Sequence, residues 1–233
     1  MEHYHHSPYV VAQASQEARS KFIKNTYLHL AGAVLGFALV EFFLINFTNL
    51  GPAMLQFLSK SSYMWFVVLG GFMGVSFIAQ RLADASSSKA SQYAGLSLFV
   101  VGESIVILPL LFMASLKANN AIAQAAIATG GLFMALTVIA FTTKKDFSFL
   151  GGMIKVGFIV ALALIGASML FGFNLGIWFS GAMILLTAGS ILYSTSNIIH
   201  EYSEDQYVAA AIGLFASLAT LFWYILSILM NRD

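Results

Sequence analysis

Tyr93–Ala114 reads YAGLSLFVVGESIVILPLLFMA, and this run decides the fold class. Glu103 is its only charged residue. A helix needs about 20 mostly apolar residues to cross the hydrocarbon core of a bilayer, and this run is long enough. It lacks the alternation of apolar and polar residues that marks a strand of a membrane barrel. The run therefore predicts a membrane-spanning helix with a carboxyl group near its middle.

Six further runs have the same character, and they leave only short connections between them. They are Thr26–Ile45, Tyr63–Gln80, Ala121–Phe141, Phe149–Leu170, Ile177–Ile199 and Tyr207–Met230. Only residues 1–25 are polar over a long stretch. The sequence thus predicts an all-α integral membrane protein, with a polar N-terminal tail (1–25) and a seven-helix transmembrane domain (26–233).

The composition supports a chain whose main solvent is the lipid bilayer. Of its 233 residues 59% are apolar and 9% are charged, whereas soluble domains have roughly 25% charged residues. A net charge of +1 excludes nucleic-acid binding driven by a large overall positive charge. The chain has no Cys and no His-Glu-x-x-His motif, and every Asp falls in a predicted connection or terminus. We therefore expect no enzyme activity, no cofactor and no metal site.

Lys and Arg are unevenly distributed over the two sides of the predicted bundle. One side has seven of these residues and the other has three, with Lys155 inside the fifth span. The first side has Arg19, Lys21, Lys24, Arg81, Lys89, Lys144 and Lys145; the second has Lys60, Lys117 and Arg232. Since basic residues accumulate in cytoplasmic loops, we expect a cytoplasmic N-terminus and, after seven crossings, an external C-terminus.

Ionisable residues within spans are costly and therefore informative. Glu103 precedes Pro109 by six residues, and the missing N–H of proline loosens a helix. This pair fits an ion or proton path, and equally a protonated carboxyl that hydrogen-bonds to a neighbouring helix. Lys155 either extends to the inner surface along its aliphatic chain or faces the interior. Glu41 lies near the end of its span, and we expect it to reach the interface.

Three stretches carry a resemblance to a known family. Residues 140–152, AFTTKKDFSFLGG, closely resemble a signature of the Bax inhibitor family of seven-span proteins. Ile191–Tyr193, followed by an acidic loop and the Ala-rich Ala209–Ala211, is similar to a second family pattern. Glu103–Pro109 resembles the third span of bacterial members. The resemblance implies six helices around a central seventh, a bacterial cytoplasmic (inner) membrane, and a passive, pH-sensitive calcium leak.

The resemblance also implies a sensor, and this chain departs from the family there. The family has a pair of aspartates in spans six and seven and a basic residue resembling a latch, for which Arg81 is the candidate here. Ser194 and Ser217 stand at the aspartate positions. Two neighbouring carboxylates can share a proton and bind calcium, whereas serine hydroxyls do not titrate near neutral pH. The resemblance implies that Ser194 and Ser217 face each other. Because neither hydroxyl titrates near neutral pH, we expect no pH-switched calcium leak.

Two functions remain open from the sequence. The first is a channel-like protein that passes calcium or another cation, with Glu103 as its main buried acid. The second is a non-conducting protein that modulates a membrane-bound protease or a stress response, with the polar tail as a handle. A small-molecule transporter ranks last, because the sequence has no convincing internal repeat.

Overall fold

The computed structural model describes residues 11–61, 63–117, 120–143 and 145–231. After a 3-10 turn at Val11–Gln13, these residues form eight α-helices in this order: α1 (Gln16–Phe47), α2 (Leu50–Ser59), α3 (Met64–Leu82), α4 (Lys89–Lys117), α5 (Ala121–Thr142), α6 (Leu150–Phe171), α7 (Gly176–His200) and α8 (Tyr207–Met230). All of them except α2 are long and apolar enough to cross a membrane. The seven predicted spans and the all-α fold class are confirmed.

The first helix begins before the membrane span that the sequence predicts. α1 starts at Gln16, ten residues before Thr26, and the Ser15 hydroxyl caps it by accepting a hydrogen bond from the Ala18 N–H at 3.2 Å. Further back, Val11 is fully buried, and its N–H donates to the carbonyl of Tyr202 at 2.8 Å. The part of the predicted tail from Val11 onward is therefore docked against the bundle, while residues 1–10, with His3, His5 and His6, lie outside the described residues.

α2 is a short helix that the sequence reading missed. Its ten residues are too few to span a bilayer, and it fills the connection between the first two spans. It packs mainly against α4. At Gly51 an added Cβ would come within 2.8 Å of the Phe112 ring, so glycine allows this close approach. This contact holds the connection against the bundle.

α4 and α8 form the interior of the bundle. α8 packs along α1, α4, α5 and α7, and α4 packs along α1, α3 and α8. α3 and α6 are the least buried spans, and the main neighbour of α6 is α7. α8 thus contacts many spans, while the arrangement of six helices around the seventh stays a prediction.

α3 and α4 approach each other closely through two glycines of α4. An added Cβ at Gly95 would lie 2.5 Å from the carbonyl oxygen of Ala79, and one at Gly102 would lie 2.9 Å from the Val75 side chain. Small residues let helix backbones come together in a membrane, where packing rather than hydrophobicity drives association. These two glycines therefore lie on the face of α4 that packs against α3.

We call the end of the bundle at which α1, α4, α6 and α8 begin the basic end, and the other the opposite end. The basic end carries most of the cationic side chains: Arg19, Lys21, Lys24, Arg81, Lys89 and Lys145. Lys144 and Arg232 lie outside the described residues. The orientation of the basic end toward the cytoplasm stays a prediction.

Candidate functional site

Two cavities enter the bundle from its two ends and approach each other at Glu103. The larger has a volume of about 840 Å³, lies between α3, α4, α6, α7 and α8, and includes Asn174 and Asn231 near the opposite end. The smaller has a volume of about 400 Å³, lies between α3, α4 and α8, and includes Asp84 and Tyr202 near the basic end. Each cavity alone has room for water or a small ion.

Three residues line both cavities: Phe72 of α3, Glu103 of α4 and Thr220 of α8. We call these residues the Glu103 constriction. Glu103 is 8% exposed, and its carboxyl has no hydrogen-bond or ion-pair partner among the residues that the structure describes. The Thr220 hydroxyl donates to the carbonyl of Ala216 at 2.8 Å. The constriction thus combines an unpaired acid, a hydroxyl and an aromatic ring.

Local sequence explains why Glu103 faces this route. Phe99, Glu103 and Val106 follow each other at helical spacing, so they lie on one face of α4. Phe99 packs its ring against Phe72 at a centroid distance of 5.6 Å, which directs this face toward α3 and α8. The carboxyl therefore points between the helices, and the reading of a carboxyl hydrogen-bonded to a neighbouring helix finds no partner in the described residues.

Pro109 is buried within α4, and the helix continues through it to Lys117. Proline removes one N–H, so the carbonyl of Ile105 loses its helical donor. Pro109 is absent from the residues that line either cavity. The structure therefore brings Glu103 to the route and leaves Pro109 in the packing behind it.

Ser194 and Ser217, which the resemblance aligns with the family's aspartates, are not hydrogen-bonded to each other in the structure. Ser217 is buried on α8, and its hydroxyl lies 3.0 Å from the hydroxyl of Ser190 on α7 and 3.1 Å from the carbonyl of Gly213. Ser194 is half-buried one turn further along α7. The expected contact between Ser194 and Ser217 is thus corrected to Ser190 and Ser217, because one helical turn brings the α7 serine to the depth of Ser217.

The two basic candidates face away from the route. The Arg81 guanidinium lies over the ring of Phe77 on its own helix, 5.2 Å from the ring centroid, and its side chain is exposed. Lys155 is exposed on α6. Exposure on a peripheral span favours extension of Lys155 to the membrane surface over an inward charge. Neither residue lines the two cavities.

A polar cluster at the basic end ties the α5–α6 connection to α7. The Ser196 hydroxyl donates to the Asp146 carboxylate at 3.0 Å, and Nδ1 of His200 lies 3.9 Å from the same oxygen. The hydroxyl and the N–H of Ser148 also donate to Asp146. These bonds from Ser148, with smaller contributions from Ser196 and His200, lower the pKa of Asp146. The cluster joins residues 146–148 of the signature stretch to α7.

A second buried acid, Glu41, differs from the sequence expectation. We expected Glu41 to reach the interface, but the residue is only 4% exposed, and both its carboxyl oxygens are buried without a hydrogen-bond partner among the described residues. Phe72 and Thr220 carry no charge, and the sequence analysis did not identify them. A charged residue inside an apolar run indicates depth, whereas the side that it faces depends on the packing of neighbouring helices.

Comparison with known proteins agrees with the signature stretch. The family described as "Inhibitor of apoptosis-promoting Bax1" matches residues 19–233, nearly the whole chain. The chain belongs to the Bax inhibitor family. Membership in this family confirms the resemblance on which the sequence expectations rested.

Relatives within the Bax inhibitor family come from bacteria and yeast. "Modulator of FtsH protease YccA" of Escherichia coli is 33% identical over 173 residues, which cover 72% of this chain and 76% of that protein. An uncharacterized Pseudomonas aeruginosa protein is 33% identical over 168 residues, covering 70% of this chain and 72% of its own. "Bax inhibitor 1" of Schizosaccharomyces pombe is 28% identical over 231 residues, covering 96% of this chain and 82% of the yeast protein.

Proposed function

We propose that this protein is a channel-like member of the Bax inhibitor family that lets protons or a small monovalent cation pass the Glu103 constriction. The observation that carries this proposal is the approach of the two cavities to one buried carboxyl from opposite ends of the bundle. A buried acid in a membrane protein marks an ion or proton pathway by default.

The chemistry of the constriction favours a small cation of single charge. At an effective dielectric constant of about 20, a carboxylate attracts a monovalent cation 4 Å away with about 4 kcal/mol, which offsets part of the cost of removing water from the ion. Calcium takes six to eight oxygen ligands. Glu103 and the Thr220 hydroxyl supply fewer than that, so we expect calcium to pass poorly.

Ion flux in liposomes tests the proposal. Purified protein is reconstituted, and proton, potassium and calcium fluxes are followed with dyes inside the vesicles. We expect proton or potassium flux in the parent protein, no pH-switched calcium leak, and on the order of tenfold or greater loss of flux in Glu103→Gln, because the attractive charge is removed.

Glu41→Gln is the matched control for this experiment. It makes the same chemical change at another buried carboxyl that lines neither cavity, so its flux should equal that of the parent. Equal flux in the parent and Glu103→Gln, or equal losses in the two Gln variants, would remove Glu103 from the pathway. Absence of flux in the parent at every pH would overturn the channel proposal itself.

A second candidate function is modulation of a membrane-bound ATP-dependent protease, and the name of the Escherichia coli relative, a modulator of a protease, favours it. Residues 1–10 precede the docked Val11 and would serve as the segment that the protease engages. The test reconstitutes the chain with such a protease and follows degradation of an independent membrane substrate. We expect slower degradation with the full chain and little effect after deletion of residues 1–10; an unchanged rate with the full chain contradicts this function.

A further inference from the structure

A third cavity, of about 530 Å³, lies away from the route and has a different character. We call it the Glu41 crevice. α1 and α5 form its walls, and α4 and α8 form its floor. Its lining is almost entirely apolar, with Phe37, Leu111 and Phe222 among its side chains. Its volume falls within the range of cavities that bind small organic molecules.

Two polar groups within this apolar lining lack partners. Both carboxyl oxygens of Glu41 on α1 are buried without a hydrogen bond among the described residues, and so is the hydroxyl of Thr129 on α5. Glu41 is 4% exposed and Thr129 is 3% exposed. Buried polar groups in native proteins are nearly always hydrogen-bonded, and an exception indicates a missing partner. Two exceptions in one cavity indicate one shared partner.

The crevice lies on the outer side of the bundle and extends toward the opposite end, where Asn46 and Ser115 line it. α1 and α5 both pack on α8; they meet near the basic end, where the ring centroids of Tyr27 and Phe141 lie 5.9 Å apart, and the crevice lies between them nearer the opposite end. Phe42, which lines the cavity, is 59% exposed on the outer surface of α1. Glu41 lies six residues before the end of α1, about 9 Å along the helix. An occupant therefore enters from the membrane, with its polar group within reach of the interface.

We propose that the Glu41 crevice binds a membrane-dissolved aliphatic primary amine, with the ammonium group at the Glu41 carboxylate and the Thr129 hydroxyl and the alkyl chain along the aromatic walls. An ammonium has three donors and no acceptor, which matches the carboxylate oxygens and the hydroxyl lone pairs. A fatty acid would place two carboxyl groups together, which disfavours ionisation of either one. An aliphatic alcohol offers a single donor and no charge.

The binding test uses the full chain in phosphatidylcholine nanodiscs with radiolabelled dodecylamine, and nanodiscs without protein give the background. We expect saturable binding to one site per chain. Hydrogen bonds to a charged group are stronger than those between neutral groups, so Glu41→Gln should bind dodecylamine at least about tenfold more weakly than the parent. Dodecanol, which has the same chain length, should bind more weakly than dodecylamine by a similar factor.

Two adjacent glycines of α5 provide a matched pair of variants. Gly130 lines the crevice, Gly131 does not, and an added Cβ meets no atom within 4 Å at either position. Gly130→Leu should fill the crevice and abolish binding, whereas Gly131→Leu should bind like the parent. Because neither change removes a contact, loss of binding in Gly130→Leu alone reports occupation of the crevice.

Three results would overturn the proposal. Binding that is equal in the parent, Glu41→Gln and Gly130→Leu would place the amine elsewhere. Dodecanol binding as tightly as dodecylamine would show a site for a neutral lipid. Absence of saturable binding in the parent would leave Glu41 and Thr129 without the partner that we infer. None of these outcomes bears on the route past Glu103.

Discussion

Glu103 and Glu41 lie in different surroundings within the same bundle. Both are buried carboxyl residues on long spans, and neither has a partner among the described residues. Glu103 lies where two cavities from opposite ends come together, whereas Glu41 lies in one apolar cavity on the outer side of the bundle. The difference teaches that the surroundings of a buried acid, rather than its burial, decide whether it belongs to a pathway or to a binding site.

The helices beside the Glu103 route are more tightly packed than those beside the Glu41 crevice. The largest change in the free energy of unfolding that we expect tests this difference in packing. At Gly95, beside the route, an added Cβ would lie 2.5 Å from the Ala79 carbonyl oxygen, whereas the space at Gly130 in the Glu41 crevice is open. Gly95→Ala should separate α3 from α4 and lower the free energy of unfolding by about 1–3 kcal/mol. Gly130→Ala should be neutral or stabilise by up to about 1 kcal/mol. Unfolding in detergent micelles measures both, and similar values would contradict the comparison.

Removal of each carboxyl should affect stability differently. Glu41→Leu removes an unpaired polar group from an apolar cavity, and we expect it to raise the free energy of unfolding by about 1–2 kcal/mol. Glu103→Leu should gain less, because the cavities at the Glu103 constriction can hold water that hydrogen-bonds to the acid. The same detergent unfolding assay compares them. A destabilised Glu41→Leu would mean that Glu41 has a favourable partner in the folded protein.

The serine pair lies apart from both acids and should contribute little. A double-mutant cycle of Ser190→Ala and Ser217→Ala should give a coupling of about 0.6 kcal/mol, typical of a hydrogen bond between membrane helices. The cycle of Ser194→Ala and Ser217→Ala should give none, because the 3.0 Å contact joins Ser217 to Ser190. Coupling in the second cycle instead of the first would restore the pairing expected from the family pattern.

The smallest effect that we expect is on the pH dependence of stability, and it comes from the exposed Asp146. Its titration must be distinguished from that of the buried Glu41 and Glu103 in any pH experiment. The folded pKa of Asp146 is lowered, so its contribution to stability is present above its unfolded pKa of about 3.9 and is lost as pH falls through the folded value. Asp146→Asn should therefore lose less stability than the parent between about pH 5 and about pH 2. Melting curves against pH measure this, with Asp205→Asn as the control. Identical curves for the parent and Asp146→Asn would contradict it.

The sequence alone predicted the spans well, because the hydropathy of about 20 residues adds up to one strong signal for each span. Tyr207–Met230 matches α8 at both ends, and the other spans agree with their helices to within four residues except at the start of α1. The direction that each polar side chain faces was harder to predict. Glu41 is buried although we expected it to reach the interface, and Lys155, for which the sequence left both directions open, is exposed. Because these helices are apolar all round, no amphipathic stripe fixes their rotation, and helix packing decides it.

The dependence of side-chain direction on helix packing also explains why the sequence predicted the wrong serine partner for Ser217. The family pattern gave the depth of Ser217 but aligned it with Ser194, although their depths differ by more than one helical turn at 1.5 Å per residue. Ser190, one turn from Ser194 on the same face of α7, lies at the depth of Ser217, and their hydroxyl oxygens are 3.0 Å apart. The unequal depths were the available signal for Ser190. Nothing in the sequence singled out Phe72 or Thr220, since an uncharged residue becomes part of a site only through its neighbours.

The docked turn at Val11 has a mechanical consequence. Val11 follows residues 1–10 directly, and its N–H is bonded to the carbonyl of Tyr202, which also lines the cavity at the basic end. A pulling force on the N-terminus would therefore load the α7–α8 connection, through this bond, before it could unwind α1. Force applied ahead of Val11 would thus be transmitted through a 2.8 Å hydrogen bond to Tyr202, a residue that lines the smaller cavity.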